Sequence, residues 1–227
     1  MIILACATEL ERRHVLARTD RASDEARFRY AALDFLACVT GVGPVAAALR
    51  MGELLERNPE ASGVVNLGIC GSFDPDMPLG AACVADAEVW PEYGVRRTDD
   101  AEEPFGFQML PELPLSPVNS LALAPSAAAR EMGLCLPPGW ACGPSLTVAG
   151  VSGDDRRAAL LRARYGAATE NMEGFSLALA ARRKGLPFLE VRTVSNPVGV
   201  RDKSRWDFRR ALDALQAILP TLTGAAA

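Results

Sequence analysis

Two spacings of apolar residues alternate along the chain, one suited to strands and the other to helices. Met1–Ala7 is a short unbroken apolar run, which predicts a buried strand. Arg27–Leu33 alternates polar and apolar positions and predicts a half-buried strand, and the more continuously apolar Phe35–Thr40 predicts another. Gly41-Val42-Gly43-Pro44 then punctuates the chain. It opens a helix expected from Val45 to about Arg57, with Pro44 in the first turn, where its missing N–H costs nothing. Gly63–Leu67 and Ala82–Trp90 predict further strands, separated by the glycine-rich segment Gly68–Gly80.

From Thr98 to Gly139 prolines at 104, 111, 114, 117, 125, 137 and 138 break the pattern. Loops are expected there, with one helix near Ser126–Met132. Periodicity returns as a strand near Leu146–Val151, a helix over Asp155–Tyr165 and a second helix over Met172–Lys184. That second helix carries basic residues in its last turn, then Gly185 and Pro187, the usual stop signals. Phe188–Val194 predicts a strand and Arg205–Leu219 a closing amphipathic helix. The alternation predicts an α/β fold, a single domain over residues 1–227 with a central mixed sheet flanked by helices.

In such folds ligands sit beyond the carboxyl ends of strands. That rule selects the residues after Ala7, Thr40, Leu67 and Val194, and each segment carries something unusual. Glu9 and Glu11 follow the first strand, Gly41 and Gly43 another, and Gly68-Ile69-Cys70-Gly71 a third. Ser195-Asn196-Pro197 follows the last. The G-x-x-G reads as a tight turn exposing backbone N–H groups. It lacks the G-x-G-x-x-G spacing of a dinucleotide site. Glu170-Asn171-Met172-Glu173-Gly174 places two carboxylates at the expected start of an apolar helix, where plain N-terminal capping is the simple alternative to a functional role.

Composition narrows the partners. The formal charge is −4 and no basic stripe runs along the chain, which argues against nucleic acid. No apolar run is long enough for a membrane span, and the N-terminus lacks the pattern of a signal peptide. The six cysteines never approach a C-x-x-C spacing and His14 is the single histidine, so neither a metal site nor a cofactor is expected. The cysteines read as small core residues of a cytoplasmic protein. A Ser–His or Cys–His nucleophile would rest on His14 alone, and no G-x-S-x-G elbow is present.

Four segments fall in the order seen in the nucleoside phosphorylase/nucleosidase superfamily, which this chain resembles over nearly its whole length. They are Val39–Ala47, Asn66–Gly71, Glu170–Gly174 and Val191–Asn196. Within the superfamily, Arg192–Asp202 followed by Trp206 is most similar to the futalosine hydrolases of an alternative menaquinone pathway. The resemblance implies hydrolysis of a purine N-ribosidic bond in a small nucleoside, by a homodimer or larger homo-oligomer. It implies Glu11 as general base, with Glu9 two residues earlier as the fallback, and Glu173 as the carboxylate facing the ribosyl cation. Asn196 would meet the purine, Met172 would pack on the sugar and Arg192 would orient the water. Gly68, Ile69, Cys70, Gly71, Asn171 and Ser195 would complete the substrate site.

Three departures bear on the expectation. Related adenosyl nucleosidases carry aspartate where this chain has Asn196, and an amide suits the 6-keto group of hypoxanthine better than a carboxylate does. Phosphorylases of the superfamily place arginine where this chain has Asn66, so water is the expected nucleophile. No phenylalanine follows Ser152-Gly153-Asp154 to stack on the base, which leaves Phe105, Phe107 or Arg156 for that task. Another purine nucleosidase, or a nucleoside-binding protein without activity, is the alternative reading.

Overall fold

The computed structural model describes residues 1–19, 27–96, 102–108 and 115–225. Its centre is a nine-stranded mixed sheet. β1 (Ile2–Cys6) lies between β3 (Leu33–Val39) and β4 (Gly63–Ser72), parallel to both. β11 (Phe188–Pro197) continues the parallel set beside β4, and β5 (Ala82–Val89) runs antiparallel to β11. β9 (Ala141–Thr147) follows β5, and β10 (Thr169–Asn171) follows β9. β10 also pairs antiparallel with β4 through Glu170 and Gly71, so that end of the sheet closes on itself. β2 (Arg27–Tyr30) and β8 (Ser120–Ala122) add antiparallel edges, and β6 (Gly94–Arg96) with β7 (Glu102–Pro104) forms a separate ribbon.

Alternation along β1 sorts the core onto two faces of the sheet. Ile2, Leu4 and Cys6 pack with α1 (Glu9–Leu16), α3 (Pro125–Glu131), α6 (Phe208–Leu215) and α7 (Ile218–Thr223). Ile3 and Ala5 pack with α2 (Pro44–Arg57) and α5 (Gly174–Arg183). α4 (Asp155–Tyr165) covers the closed end through Ala158 and Leu161. Among the described residues no helix is long and apolar enough to cross a membrane.

The element boundaries depart from the sequence expectation at five places. The alternating run 27–33 is two strands of a hairpin, because Ala31 and Ala32 turn the chain with φ of 46° and 67°. Neither residue is one that favours such a turn, so the sequence carries no sign of it. The glycine-rich stretch 68–71 is no turn: β4 runs straight through it to Ser72. The helix expected over Met172–Lys184 starts only at Gly174, after the strand β10 and a bend at Met172 and Glu173. The strand expected near Leu146–Val151 lies earlier, at Ala141–Thr147, where Gly143 and Pro144 disguise it. Pro144 is tolerated because β5 bulges opposite it, between Ala85 and Ala87. The closing helix is broken into a 3₁₀ turn (Lys203–Arg205), α6 and α7. Part of the expected loop region 98–139 lies outside the described residues.

Candidate active site

A cavity of about 590 Å³ opens beyond the carboxyl ends of β1, β4, β10 and β11. Into it face Glu11, Ile69, Cys70, Gly71, Asn171, Met172, Glu173, Arg192, Ser195 and Asn196. Residues as far apart in the chain as 11 and 196 therefore share one wall.

Glu11 is held by a capping box. The Thr8 hydroxyl accepts from the Glu11 N–H at 3.2 Å, and the Glu11 carboxylate accepts from the Thr8 N–H at 2.9 Å. Its other oxygen accepts the Ile69 N–H of β4 at 3.0 Å. Glu11 is buried, whereas Glu9 points outward and pairs with Arg12 and Arg13. Those guanidiniums lower the Glu9 pKa to about 2. The Thr-x-x-Glu spacing was the available signal for α1, a helix missing from the sequence reading.

Gly68 lies behind the wall rather than on it. A Cβ there would come within 2.7 Å of the nearer Glu11 oxygen and 3.1 Å of Arg192. This glycine makes room for two charged side chains; the segment 68–71 is β-strand, and Ile69, Cys70 and Gly71 line the cavity from it.

Glu173 occupies the N-cap position of α5 yet makes no capping bond. The cap comes from Asn171, whose Oδ1 accepts the N–H of Glu173 at 2.8 Å and of Gly174 at 2.7 Å. Simple capping by the carboxylates is thereby replaced, and the Glu173 side chain is left for the cavity. It accepts the Gly43 N–H at 3.1 Å and pairs with Arg192 at 3.3 Å. Gly43 can offer that N–H because its backbone takes φ of 94°. Burial raises the Glu173 pKa, opposed by Arg192 and by the Gly43 bond, while the nearby Glu11 raises it further. Asn171 itself is committed to protein partners: its Nδ2 donates to Glu88 at 2.7 Å and to Ser145 at 2.8 Å.

Arg192 is anchored on three sides. Its Nε donates to Glu190 at 2.6 Å, and its terminal nitrogens donate to the Ile69 carbonyl at 3.1 Å and to Asn171 Oδ1 at 3.2 Å. Burial works against its charge, but the carboxylates of Glu190 and Glu173 raise its pKa above the usual value. Beyond it, β11 shifts register against β4 between Val194 and Asn196. That bulge buries Ser195, whose hydroxyl lies 3.0 Å from the Cys70 carbonyl and 2.8 Å from Asn196 Oδ1. The half-buried Asn196 lines the cavity and donates one N–H to the Pro197 carbonyl at 3.1 Å.

On the other half of the wall stand residues that the sequence offered only as marks of the family resemblance, or not at all. Trp206 and Phe208 line it edge to face, 5.6 Å apart, with Arg201 over the Trp206 ring. Phe105 and Phe107 stack on each other beside Tyr93 and, like Arg156, are not among the residues around the cavity. Val151 and Ser152 complete the wall, and buried Glu170 holds their loop by accepting the Ser152 N–H at 2.9 Å and hydroxyl at 2.6 Å. Cys6, Cys38, Cys70 and Cys83 are buried as expected, but Cys135 and Cys142 are exposed. Among the described residues no cluster of His, Cys, Asp or Glu is arranged to hold a metal ion.

Fold and site define a member of a known class: the description "Phosphorylase superfamily" matches residues 2–223. Futalosine hydrolase of Streptomyces coelicolor is 41% identical over 181 residues, covering 77% of this chain and 72% of that protein. Futalosine hydrolase of Thermus thermophilus is 34% identical over 184 residues, covering 80% and 77%. The chain belongs to the phosphorylase superfamily and, within it, to the futalosine hydrolase family. Solved structures share the fold. A mutant futalosine hydrolase of Helicobacter pylori matches with a TM-score of 0.79 at 18% identity, covering 99% of both chains. A mutant 5'-methylthioadenosine/S-adenosylhomocysteine nucleosidase of the same organism, with 5'-methylthioadenosine in its active site, gives 0.79 at 18% identity over 99% of this chain and 98% of that one.

Proposed function

We propose that this protein hydrolyses the N-ribosidic bond of futalosine, releasing hypoxanthine and dehypoxanthine futalosine in menaquinone biosynthesis. The observation that carries the reading is the shared cavity of Glu11, Glu173 and Asn196, in a chain of this family. Glu11 takes a proton from the attacking water. Its buried carboxylate is held by Thr8 and Ile69, and that fixed aim is what a general base needs. Glu173 faces the ribosyl cation and stabilises it by charge, in a site where burial strengthens that interaction. As the N9–C1' bond breaks, its electron pair leaves with the base, which takes a proton at N7 from solvent water. Asn196 donates its remaining N–H to O6 and accepts the N7–H so formed on the oxygen that Ser195 already orients. Trp206 and Phe208 supply the aromatic surface for the substrate. Asn66, buried in β4, brings no positive charge for a phosphate dianion. The protein works in the cytoplasm as a homodimer or larger homo-oligomer; exposed Val42, at the cavity, and exposed Val45 and Leu49, on α2, support the assembly.

The test incubates the protein with futalosine, inosine and methylthioadenosine, with and without phosphate. Hypoxanthine release from futalosine should dominate, be indifferent to phosphate and leave a free reducing sugar. A sugar 1-phosphate, or faster cleavage of methylthioadenosine, would overturn the assignment.

A further inference from the structure

Behind the cavity, two more carboxyl groups are buried together. Glu88, on β5, and Glu190, on β11, are almost wholly shielded from water, and both carboxyls press against the α carbon of Gly174. Any side chain at position 174 would collide with them. Their partners differ. Glu190 Oε1 faces the cationic Arg192 at 2.6 Å, while Glu190 Oε2 is buried with no hydrogen-bond donor. Glu88 meets only neutral donors: the Thr147 hydroxyl at 2.6 Å on one oxygen and the Asn171 amide at 2.7 Å on the other. Two anions in contact in a dry interior repel strongly, and an orphaned buried carboxylate oxygen is costly. One proton on Glu88, directed at Glu190 Oε2, removes both penalties. Glu190 keeps the charge because Arg192 is its counter-ion.

We propose that Glu88 is a neutral carboxylic acid hydrogen-bonded to Glu190, and that this pair positions Arg192 and Asn171 and, through them, Glu173. The charged groups around Glu88 are Glu190 and Arg192 from β11 and, beyond Arg192, Glu173 from α5 and Glu11 from α1. Thr147 ties the pair to the same helix, since its hydroxyl accepts the Phe175 N–H at 2.7 Å. With Glu190 neutralising Arg192, Glu173 retains its negative charge for the cavity. With Asn171 Nδ2 held by Glu88, the amide oxygen stays on the N-terminus of α5, where it fixes the backbone of Glu173. The positioning role rests on the reading of Glu173 as the group facing the ribosyl cation; the protonation state does not.

Carboxyl-labelled glutamate and carbon NMR read the proton directly, whether or not the protein turns over a nucleoside. One side-chain carboxyl should have the shift of a neutral acid from about pH 5 to about pH 8, far outside the ordinary range. It should vanish in Glu88→Gln. If every glutamate is ionised at neutral pH, or if the neutral resonance survives in Glu88→Gln, the protonation is wrong. Kinetics read the positioning. Glu88→Gln keeps an N–H for Glu190 and an acceptor for Thr147 but gives up the acceptor for Asn171 Nδ2. It should therefore retain at least about threefold more kcat than Glu88→Ala, which should lose about tenfold or more in kcat with little change in KM. Equal losses in the two variants, or none in either, would overturn the positioning role and leave the proton assignment to the NMR result.

Discussion

Glu9 and Glu11 stand two residues apart on the first turn of α1 and meet opposite surroundings. Glu9 is nearly half exposed and bound to Arg12 and Arg13; Glu11 is buried against Ile69 at the cavity. Glu11 also closes a capping box, so its loss could act through stability alone. Glutamine separates the two effects in part: its oxygen still accepts in the box, while its amide nitrogen cannot accept the Ile69 N–H. Glu11→Gln should therefore lower kcat by roughly 10²–10⁴ in a protein that stays folded, with a stability loss of about 1–3 kcal/mol from the unpaired Ile69 N–H. Glu9→Gln, which removes only a solvated pair, should leave kcat near wild type. Steady-state kinetics and thermal unfolding of both variants decide. An active Glu11→Gln beside a dead Glu9→Gln would move the general base by two positions.

At the scale of elements, the sequence conveyed order better than boundaries. The run 155–165 is the expected helix, because an Asp154 cap, basic last-turn residues and Gly166 frame it. Residues 68–71 were misread because glycine normally marks a turn, whereas Gly68 marks a close approach that only the folded partners reveal. Residues 170–173 were misread because β10 is just three residues long and its pairing with Gly71 is remote in sequence. The polar half of the site was legible as four short motifs. Its aromatic half was not: Trp206 served only as a mark of the family resemblance, and Phe208 merged into the pattern of the following helix. The strand reading of Gly68 has a direct consequence. Gly68→Ala fits an extended backbone, yet its Cβ would push on Glu11 and Arg192. A displacement of such groups by even a fraction of an ångström should cost about ten- to a hundredfold in kcat. The fold should survive, with overpacking of about 1–3 kcal/mol in stability. A Gly68→Ala protein with wild-type kcat would mean that Glu11 has slack the structure does not show.

Across the whole molecule, titrating groups fall into two populations whose effects on stability have opposite sign. Glu88, Glu170 and Glu173 are buried, and burial is the first cause of their raised pKa values. The native state holds these protons to a higher pH than the unfolded chain, which releases them above about pH 4.5, so stability from these groups is complete below that pH and is lost as pH rises through each native value. Buried Cys6 and Cys70 act likewise higher up, since their raised pKa values leave the unfolded thiols to ionise first, above about pH 8.5. Exposed Glu9, Glu56, Glu60 and Asp202 have lowered values instead, chiefly from hydrogen bonds, so their stabilisation is lost only as pH falls through the acid range. Solvent screens this second population, so the buried set should dominate. The thermal midpoint should peak near about pH 5 and decline steadily toward about pH 9. Added salt should blunt the acid-side loss and leave the alkaline slope nearly unchanged. Glu88→Gln, which cannot ionise, should flatten that slope. Calorimetry across this range at fixed protein concentration reads all three effects. A midpoint that holds constant or rises between about pH 5 and about pH 8 would mean that the buried carboxyls ionise in the native state at no cost, and the electrostatic account of the interior would have to be abandoned.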